Sequence, residues 1–438
     1  MENNIRLKTF IRYSSLNVLG MLGLSCYILA DTFFIAQGLG IAGLTALNLA
    51  IPAFNFIYSF GLMLGMGGGT RYTIAQSRGQ QEEADEIFTN TIMAAIAISL
   101  LFEMIGILFC ERLTYLLGAD EETFEMTNMY LRMLFIFSPA FTMNNVIMPF
   151  IRNDGNPKLS MAAMVTGSFS NIILDYIFIF PMGMGIFGAV LATCMSPIIS
   201  IGVLSIHVLK KKNNFHLKPT RPKSSLILGI MSLGVPSFVT EMSGGIVIMI
   251  FNMIILSIEG NIGVAAYGVV ANISIVVIAI FNGIAQGTQP LISEAYGKSD
   301  GESIRKFMKY ALFTVAMVST VVYSIIFFFP EPIASIFNSE NSSVLEIIAV
   351  DGLRIYFTGI IFAGFNICAA IYFSSMEKAL PAQIISLLRG VLIIVPMAFL
   401  LSRFLEITGV WLSFPATEAV VSVIGIILII KNNRRNKE

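Results

Sequence analysis

Residues 185–209 are GIFGAVLATCMSPIISIGVLSIHVL, a stretch without one Asp, Glu, Lys or Arg. An α-helix needs about 20 apolar residues to cross the hydrocarbon core of a bilayer, so this stretch is long enough to span a membrane. Similar apolar runs follow one another along the sequence. Because the runs are long and continuous rather than short and alternating, they predict helices.

The composition places the whole chain in the same class. Of its 438 residues, 56% are hydrophobic and 12% are charged, whereas soluble proteins carry about 25% charged residues. The mean hydropathy is +0.80. The formal net charge is zero, so the charge of the whole chain indicates no nucleic-acid partner. We predict an all-α integral membrane protein whose surroundings are the lipid bilayer.

About twelve transmembrane helices are predicted from the apolar runs. Their approximate spans are 11–38, 44–78, 88–110, 124–149, 157–180, 185–210, 226–257, 262–296, 303–329, 344–373, 380–403 and 408–430. The basic residues before the first run resemble the start of a secretory signal. That run is too long for a signal and has no small-residue cleavage site, so we expect the first helix to be retained.

Basic residues predict the orientation of the helices, because cytoplasmic loops are enriched in Lys and Arg. If the N-terminus is inside, most basic residues fall on the inside, among them Lys210, Lys211, Lys212, Arg434 and Lys437. The predicted outside loops are acidic or neutral. We therefore expect both termini in the cytoplasm.

The chain is predicted to consist of two halves joined by a linker. Residues 210–225 form the one long basic connector that contains proline, and it lies at the middle of the sequence. We interpret 1–209 as an N-terminal six-helix lobe and 226–438 as a C-terminal six-helix lobe.

The two lobes resemble copies of each other. Gly65 and Gly69 recur as Gly283 and Gly287, each 218 positions later. Six helices return the chain to the side on which it started, so both lobes have the same orientation. They are then related by a pseudo-two-fold axis along the membrane normal, as in transporters with parallel repeats, which bind substrate between the repeats.

Charged side chains inside the predicted helices are few, and each is costly in lipid. Asp31 lies in the first helix, one turn after Tyr27. Asp175 lies in the fifth helix, one turn after Asn171, and Thr193 lies in the sixth. If these helices converge, their oxygens form a pocket suited to Na⁺ or to a proton shared by two close carboxylates. The alternative is that both aspartates only bond to neighbouring helices.

The second half contains two further carboxylates. Glu241 follows Pro236 in the seventh helix, and Glu418 follows Pro415 in the twelfth. A carboxylate in a proline-broken helix fits a gate or a substrate contact, but it could equally bond to the backbone that the proline frees. Other polar candidates in this half are Asn366, Gln286, Gln289 and Arg389, the last of which could pair with one of the carboxylates.

No residue pattern indicates an enzyme or a bound cofactor. The four cysteines lie in or beside apolar runs without a C-x-x-C pair, which is typical of packing residues. His207 and His216 lie near or in the central connector, where we expect both to be solvated. No His, Cys and carboxylate cluster of a metalloenzyme is evident, so we predict no enzymatic activity.

Several short motifs in this order resemble the multidrug and toxic compound extrusion family over nearly the whole chain. They are Ala30-Asp31-Thr32-Phe33-Phe34, Leu117-Gly118-Ala119-Asp120, Tyr130-Leu131-Arg132, Arg152-Asn153-Asp154-Gly155-Asn156-Pro157, Asn171-Ile172-Ile173-Leu174-Asp175 and Gly188-Ala189-Val190-Leu191-Ala192-Thr193. The motif that ends at Asp175 is most similar to the bacterial branch of multidrug exporters.

This resemblance implies an antiporter of a bacterial inner membrane, with Na⁺ or H⁺ driving export of small, often cationic drugs by alternating access. The family's cation site corresponds to Asp31, Asn171, Asp175 and Thr193 here, with Tyr27 nearby. The second-half site of some members is matched less well. Glu241 is about one turn from the expected position, and Asn366 is the nearest polar residue to an acidic one in the tenth helix.

Two other functions compete with drug export. One is a flippase for lipid-linked sugars from the same superfamily, but such proteins use a cationic cavity, and here the charges inside the helices are mostly acidic. The other, more remote, is a polytopic membrane enzyme, which two histidines near one linker do not support. Because a two-lobed transporter works without a partner subunit, we expect a monomer.

Overall fold

The computed structural model describes residues 2–337 and 342–435, and every regular element in those residues is helical. Met1, Lys437 and the outermost ends of the two predicted lobes lie outside the described residues, as does part of the loop predicted between 329 and 344. The helices are Glu2–Ser77, Gln81–Leu116, Phe124–Ile136, Ser138–Asn153, Pro157–Ile179, Gly185–Leu209, Ser224–Gly297, Gly301–Phe328, Pro330–Phe337, Ser343–Tyr356, Ile360–Ser374, Ala379–Leu387 and Ile394–Arg435, with a 3₁₀ turn at Phe357–Gly359 and a π-helical turn at Leu388–Leu392.

Sharp kinks divide three of the long helical segments into two spans each. The kinks lie at Gly40, Gly260 and Glu406, where the backbone has a positive φ of 63°, 65° and 51°. Glycine adopts this conformation without the steric cost that a side chain adds, which suits it to the first two kinks. Gly40 and Gly260 are 220 positions apart, close to the offset of the predicted duplication.

Counting these kinks gives twelve spans in the described parts of the chain. Eight apolar helical segments are long enough to cross a membrane, or nine with the pair Phe124–Ile136 and Ser138–Asn153, which is bent by 48°. Three of these nine segments contain a kink and count as two spans each, which gives twelve. We number the spans TM1 (2–39), TM2 (41–77), TM3 (81–116), TM4 (124–153), TM5 (157–179), TM6 (185–209), TM7 (224–259), TM8 (261–297), TM9 (301–328), TM10 (343–374), TM11 (379–405) and TM12 (407–435).

The predicted all-helical membrane fold is confirmed, but several helices are longer than predicted. TM1 begins at Glu2 rather than near residue 11, and TM3 begins at Gln81 rather than near 88. The prediction followed apolar residues, whereas helical hydrogen bonding continues into polar sequence. In TM3 the added turn carries Glu82 and Glu83, which the positive end of the helix dipole favours.

Buried hydrophobic side chains form one large cluster and two main smaller ones. The large cluster consists mostly of residues from TM7 to TM12, such as Phe281, Phe357 and Trp411. The smaller clusters consist almost entirely of residues from TM1 to TM6, such as Leu131 and Phe150. This packing is compatible with the predicted lobes, whose exact boundaries stay a prediction.

The basic connector between TM6 and TM7 lies against TM3 and TM4 rather than free in solution. Phe215 is buried, and its ring centre is 4.5 Å from that of Phe88. The backbone N–H of Asn214 donates to Asp154 Oδ2 at 2.9 Å, and that of His216 donates to Asp85 Oδ1 at 2.9 Å. Buried side chains therefore hold an extended backbone that has no sheet partner.

The prediction that both histidines are solvated is wrong for His207. Its side chain is 2% exposed, and its Nε2 lies 2.9 Å from Asp154 Oδ2. His216 is 61% exposed, as predicted. The prediction failed because His207 lies in the last turn of TM6, where it faces a buried carboxylate from another helix.

The two predicted halves meet through glycines near the end of the bundle that carries both termini, here called the terminal end. A Cβ on Gly67 of TM2 would lie 1.9 Å from the carbonyl oxygen of Ile230 in TM7, and one on Gly234 would lie 1.8 Å from that of Met63. A Cβ on Gly287 of TM8 would lie 2.8 Å from the Cα of Ser14 in TM1. The helix backbones are in direct contact here.

We expect Gly234→Ala to destabilise the protein, because its methyl group has to displace the Met63 carbonyl. Overpacking of this kind costs about 1–3 kcal/mol. Gly268→Ala in TM8 is the matched control, since a Cβ there meets nothing within 4 Å. Thermal unfolding in detergent should give a lower Tm for Gly234→Ala and an unchanged or higher Tm for Gly268→Ala. Equal Tm values for the two variants contradict this contact.

Candidate functional site

TM1 and TM5 bring the two predicted aspartates of the first half together. The side chains of Asp31 and Asp175 are buried and within hydrogen-bonding distance of each other. Neither side chain forms an ion pair in the described residues, and one oxygen of each is buried without a hydrogen-bond partner there. Two carboxylates at this distance repel each other unless a proton or a cation lies between or beside them.

Asn171 and Thr193 complete the polar surroundings of this aspartate pair. With the amide of Asn171 oriented so that both of its polar atoms are satisfied, Nδ2 donates to Asp175 Oδ2 at 3.0 Å. Oδ1 then accepts from the backbone N–H of Thr193 at 3.2 Å. The spacing of four residues between Asn171 and Asp175 places both on one face of TM5, and the Asn171 bond ties TM5 to TM6.

Two buried tyrosines lie beside the aspartate pair. Tyr27 is close to both carboxylates and faces a narrow cavity that Thr193 also lines. Tyr130 of TM4 is buried beside Thr193 and close to both carboxylates. Tyr130 lies in one of the family-like motifs but was not among the predicted site residues. Its motif alone does not indicate which helix faces it.

The chemistry of this site fits a small cation or a proton. Asp31 Oδ1 and Asp175 Oδ1 are buried without a hydrogen-bond partner in the described residues, and such orphaned acceptors are costly in a membrane. Hard cations such as Na⁺ prefer oxygen ligands of this kind. Groups of three or more His, Cys, Asp or Glu that could hold a metal are absent from the described chain, so neutral oxygens have to complete any cation shell.

Glu241 of TM7 lies between the two halves. Its side chain is half-buried and makes no ion pair or hydrogen bond to another side chain in the described residues. Its carboxylate is close to Tyr27 and Tyr58 of the first half, and it lines a small cavity together with Gln286 and Leu62. The side chain therefore faces the space between the two halves, here called the cleft. It does not bond to the backbone oxygen that Pro236 leaves without its helical hydrogen bond.

Glu418, by contrast, forms an ion pair with Arg389. Arg389 Nη2 and Nε donate to Glu418 Oε1 at 2.7 and 3.1 Å, and both side chains are largely buried. Asn366 Nδ2 donates to Glu418 Oε2 at 2.6 Å and to its backbone oxygen at 2.9 Å. The structure thus brings Asn366, Arg389 and Glu418 together. The positive charge beside Glu418 is the guanidinium of Arg389, which is part of the chain.

Gln286 belongs to a polar network at the contact between the halves, centred on Arg152 of TM4. Arg152 is 3% exposed, and its Nη1 donates to Asn17 Oδ1 at 3.2 Å and to Gln286 Oε1 at 3.4 Å. Its Nη2 donates to Gln289 Oε1 at 3.4 Å, and Gln289 Nε2 donates to Thr70 Oγ1 at 2.9 Å. A buried cation with only neutral partners thus joins TM1, TM2, TM4 and TM8.

Buried carboxylates without a fixed counterion inside a bundle of membrane spans mark ion or substrate pathways, as in membrane transporters. The MatE family profile matches residues 18–177 and 236–400. The chain therefore belongs to the MatE family, the multidrug and toxic compound extrusion family that its motifs resemble, and it is a transporter rather than an enzyme.

Relatives and solved structures agree with this assignment over nearly the full length. The chain is 25% identical over 390 residues to the multidrug export protein MepA of Staphylococcus saprophyticus, covering 88% of this chain and 85% of that protein. It is 24% identical to MepA of Staphylococcus haemolyticus, covering 98% and 94%. A crystal structure described as MATE in complex with MaL6 has a TM-score of 0.93 at 24% identity, covering 99% and 98%. One described as an outward-facing multidrug resistance MATE transporter has a TM-score of 0.92 at 24% identity, covering 99% and 97%.

We expect Arg152→Leu to loosen the terminal-end contact, because it leaves four amide oxygens, two in each half, without this donor. Unpaired buried polar groups cost about 1–3 kcal/mol each. The measurement is the rate at which a water-soluble maleimide labels Ser14→Cys, in a protein whose four native cysteines are replaced. Labelling should be about tenfold faster with Arg152→Leu.

The control for this experiment is Arg354→Leu, which removes a partly exposed arginine paired with Glu331 in another part of the protein. It should leave the labelling rate unchanged. A rate that is equal in the Arg152→Leu and unmodified backgrounds contradicts a role for Arg152 in holding the halves together.

Proposed function

We propose that this protein is an antiporter that exports small, often cationic organic molecules in exchange for Na⁺ or H⁺. The observation that carries the proposal is the pair of buried carboxylates, Asp31 and Asp175, in contact without a fixed cation. Ionisable groups inside a membrane protein are expensive and mark ion pathways. A cation or a proton from solution would supply the positive charge that this pair lacks.

Binding of that charge supplies a physical basis for coupling. A cation or proton at Asp31 and Asp175 neutralises the pair and draws TM1 and TM5 together, which changes the surroundings of Tyr27 at the edge of the cleft. Coupling requires that the ion and the substrate favour different conformations of the protein. The contact between the halves at the terminal end gives the protein an interface that can open and close.

The cleft offers groups that suit an organic cation. Glu241 supplies a carboxylate without a protein partner in the described residues, and Tyr27 and Tyr58 supply aromatic rings close to it. Aromatic faces and carboxylates both attract cations. The names of the MepA relatives, multidrug export proteins, support the same class of substrate.

We further propose a bacterial inner-membrane location with both termini in the cytoplasm. The basic residues near the termini and in the central connector support this orientation, since cytoplasmic segments are rich in Lys and Arg. Under it, the glycine contacts between the halves close the cytoplasmic side. Each proposed binding group lies within one chain, so we propose that the monomer is the functional unit.

Asp175→Asn should abolish gradient-driven export, because it removes the charge that the coupling ion neutralises. The measurement is ethidium export from loaded proteoliposomes under a sodium gradient or a proton gradient, imposed separately. Glu122→Gln, which removes an exposed carboxylate before TM4, is the matched control and should retain full activity. Full activity of folded Asp175→Asn under the effective gradient contradicts the proposed ion site. If the unmodified protein exports no dye under either gradient, a lipid-linked cargo becomes the better proposal.

Glu241→Gln should change which substrates are exported more than it changes coupling. The substitution keeps the size of the side chain but removes the negative charge that faces Tyr27 and Tyr58. We expect export of cationic dyes to fall about tenfold relative to neutral ones, with the dependence on the ion gradient retained. Competition between ethidium and a neutral dye in the same vesicles measures this ratio. Loss of ion dependence with an unchanged dye ratio reverses the proposed roles of Glu241 and Asp175.

A further inference from the structure

TM9 begins with the same kind of turn as TM3, so positions in the two helices can be compared. The backbone N–H of Gln80 donates to the oxygen of Ala75 at 3.0 Å, and that of Asp300 donates to the oxygen of Ala295 at 2.8 Å. Each helix then begins at the next residue. The start of TM9 therefore corresponds to the start of TM3 at an offset of 220 positions.

At this offset, Arg305 and Lys309 of TM9 correspond to Asp85 and Thr89 of TM3. The two TM3 side chains are buried under the central connector and accept hydrogen bonds from its backbone N–H groups at 2.9 and 3.0 Å. Arg305 and Lys309 are exposed, and no described segment of the chain covers them. The same positions thus hold acceptors where the connector lies and cations where no connector lies.

The end of TM10 likewise repeats the end of TM4. In the turn after each helix, a backbone N–H donates five residues back along the chain, from Asn156 at 3.2 Å and from Lys378 at 3.0 Å. Tyr372 of TM10 therefore corresponds to Phe150 of TM4, at an offset of 222 positions. TM9 and TM10 thus form a counterpart of the surface on TM3 and TM4 that holds the connector.

In the first half, an aromatic side chain of the connector fills this surface. The ring centre of Phe215 lies 4.5 Å from that of Phe88 and 6.2 Å from that of Phe150. The counterpart in the second half is a groove between TM9, TM10 and TM12 with about 830 Å³ of empty space, part of it open to the surroundings. Met308 and Tyr372, at the positions of the two first-half phenylalanines, line this groove.

The lining of the groove changes from charged to apolar along TM9. Arg305 and Lys309 lie one helical turn apart, near the terminal end. Leu312 and Phe313 follow toward the middle of the bundle, and Phe313 is 70% exposed. A phospholipid in the leaflet at this end has the same order, because its phosphate lies at the membrane surface and its acyl chains extend inward.

The two cations of the groove have no counterion in the described residues. The nearby carboxylate of Glu302 forms ion pairs with Arg6 and Lys306 instead. Two neighbouring cations suit a phosphate group, which arginine can bind through two parallel hydrogen bonds. A lipid whose headgroup also carries an ammonium group fits less well, since Arg305 and Lys309 repel that group.

We propose that the groove between TM9, TM10 and TM12 binds an anionic phospholipid from the leaflet at the terminal end. Arg305 and Lys309 hold its phosphate, and an acyl chain lies along Leu312 and Phe313. The lipid fills the place that Phe215 fills in the first half. This inference goes beyond the proposed antiport and does not depend on it, because lipid binding needs no ion gradient.

The test measures quenching of a tryptophan in the groove by lipids with brominated acyl chains. Phe313→Trp is the reporter, in a protein whose single native tryptophan is replaced by Trp411→Phe. Brominated phosphatidylglycerol and brominated phosphatidylcholine are titrated separately into the purified protein in detergent micelles. We expect half-maximal quenching at an about tenfold lower mole fraction of phosphatidylglycerol, in line with hydrogen bonds between charged groups.

Arg305→Gln/Lys309→Gln should remove this preference. The midpoint for phosphatidylglycerol should rise about tenfold, and that for phosphatidylcholine should stay within about twofold. Lys8→Gln/Arg12→Gln is the matched control, because it removes two exposed cations spaced by four residues at the same end of TM1. This control should keep the preference for phosphatidylglycerol.

A second variant gives an independent readout of the same site. Arg305→Asp/Lys309→Thr copies the corresponding residues of TM3 and should make phosphatidylglycerol the weaker quencher of the two. Equal midpoints for both lipids in the protein with its basic pair intact overturn the proposal. An equal loss of preference in the Lys8→Gln/Arg12→Gln control also overturns it, since the preference then arises from overall surface charge.

Discussion

The contact between Asp31 and Asp175 places two acidic side chains together inside a membrane bundle, where TM1 meets TM5. Two buried carboxylates without a counterion are unfavourable in a low-dielectric bundle, and the protein offers them only an amide, hydroxyls and tyrosines. Under the proposed function, a cation or proton completes this site when it binds. The surrounding helices would then have a bound and an unbound state, which ion-coupled transport requires. Asn171 joins TM5 to TM6 at this point, so a change at the carboxylates acts directly on helix packing.

The second half resolves the same electrostatic problem in a different way. TM11 and TM12 hold Arg389 against Glu418, and the positive charge is part of the chain. No exchange with solution is needed to keep this pair neutral. If the halves descend from one duplicated unit, the two copies now differ, because the second supplies a fixed cation to its buried carboxylate and the first does not. Glu241 is a further carboxylate without an ion-pair partner in the described residues, close to Tyr27 and Tyr58 of the first half.

Sequence patterns predicted most of the fold, because length and hydropathy alone determine where helices can cross a bilayer. They also indicated Asp31, Asn171 and Asp175, since charge inside an apolar run is conspicuous and a spacing of four places residues on one helix face. Residues whose importance depends on contacts between helices were harder to predict. Tyr130 and Arg152 lie in family-like motifs, yet their partners are far away in sequence. The burial of His207 is hard to predict for the same reason, because its partner Asp154 follows a different helix.

The contact between the halves combines tight packing with an absence of strong bonds. Glycines bring the TM2 and TM7 backbones into contact. This contact provides dispersion energy and excludes water only when the two helix surfaces are packed together. Arg152 adds hydrogen bonds to neutral amides, and no carboxylate lies within ion-pair distance of it in the described chain. Separating the halves then breaks several weak bonds and allows water to solvate the guanidinium. A buried ion pair at this position would have made opening far more costly. The buried Arg389–Glu418 ion pair and the contact between His207 and Asp154 instead each lie within one predicted half, so separation of the halves does not need to break them.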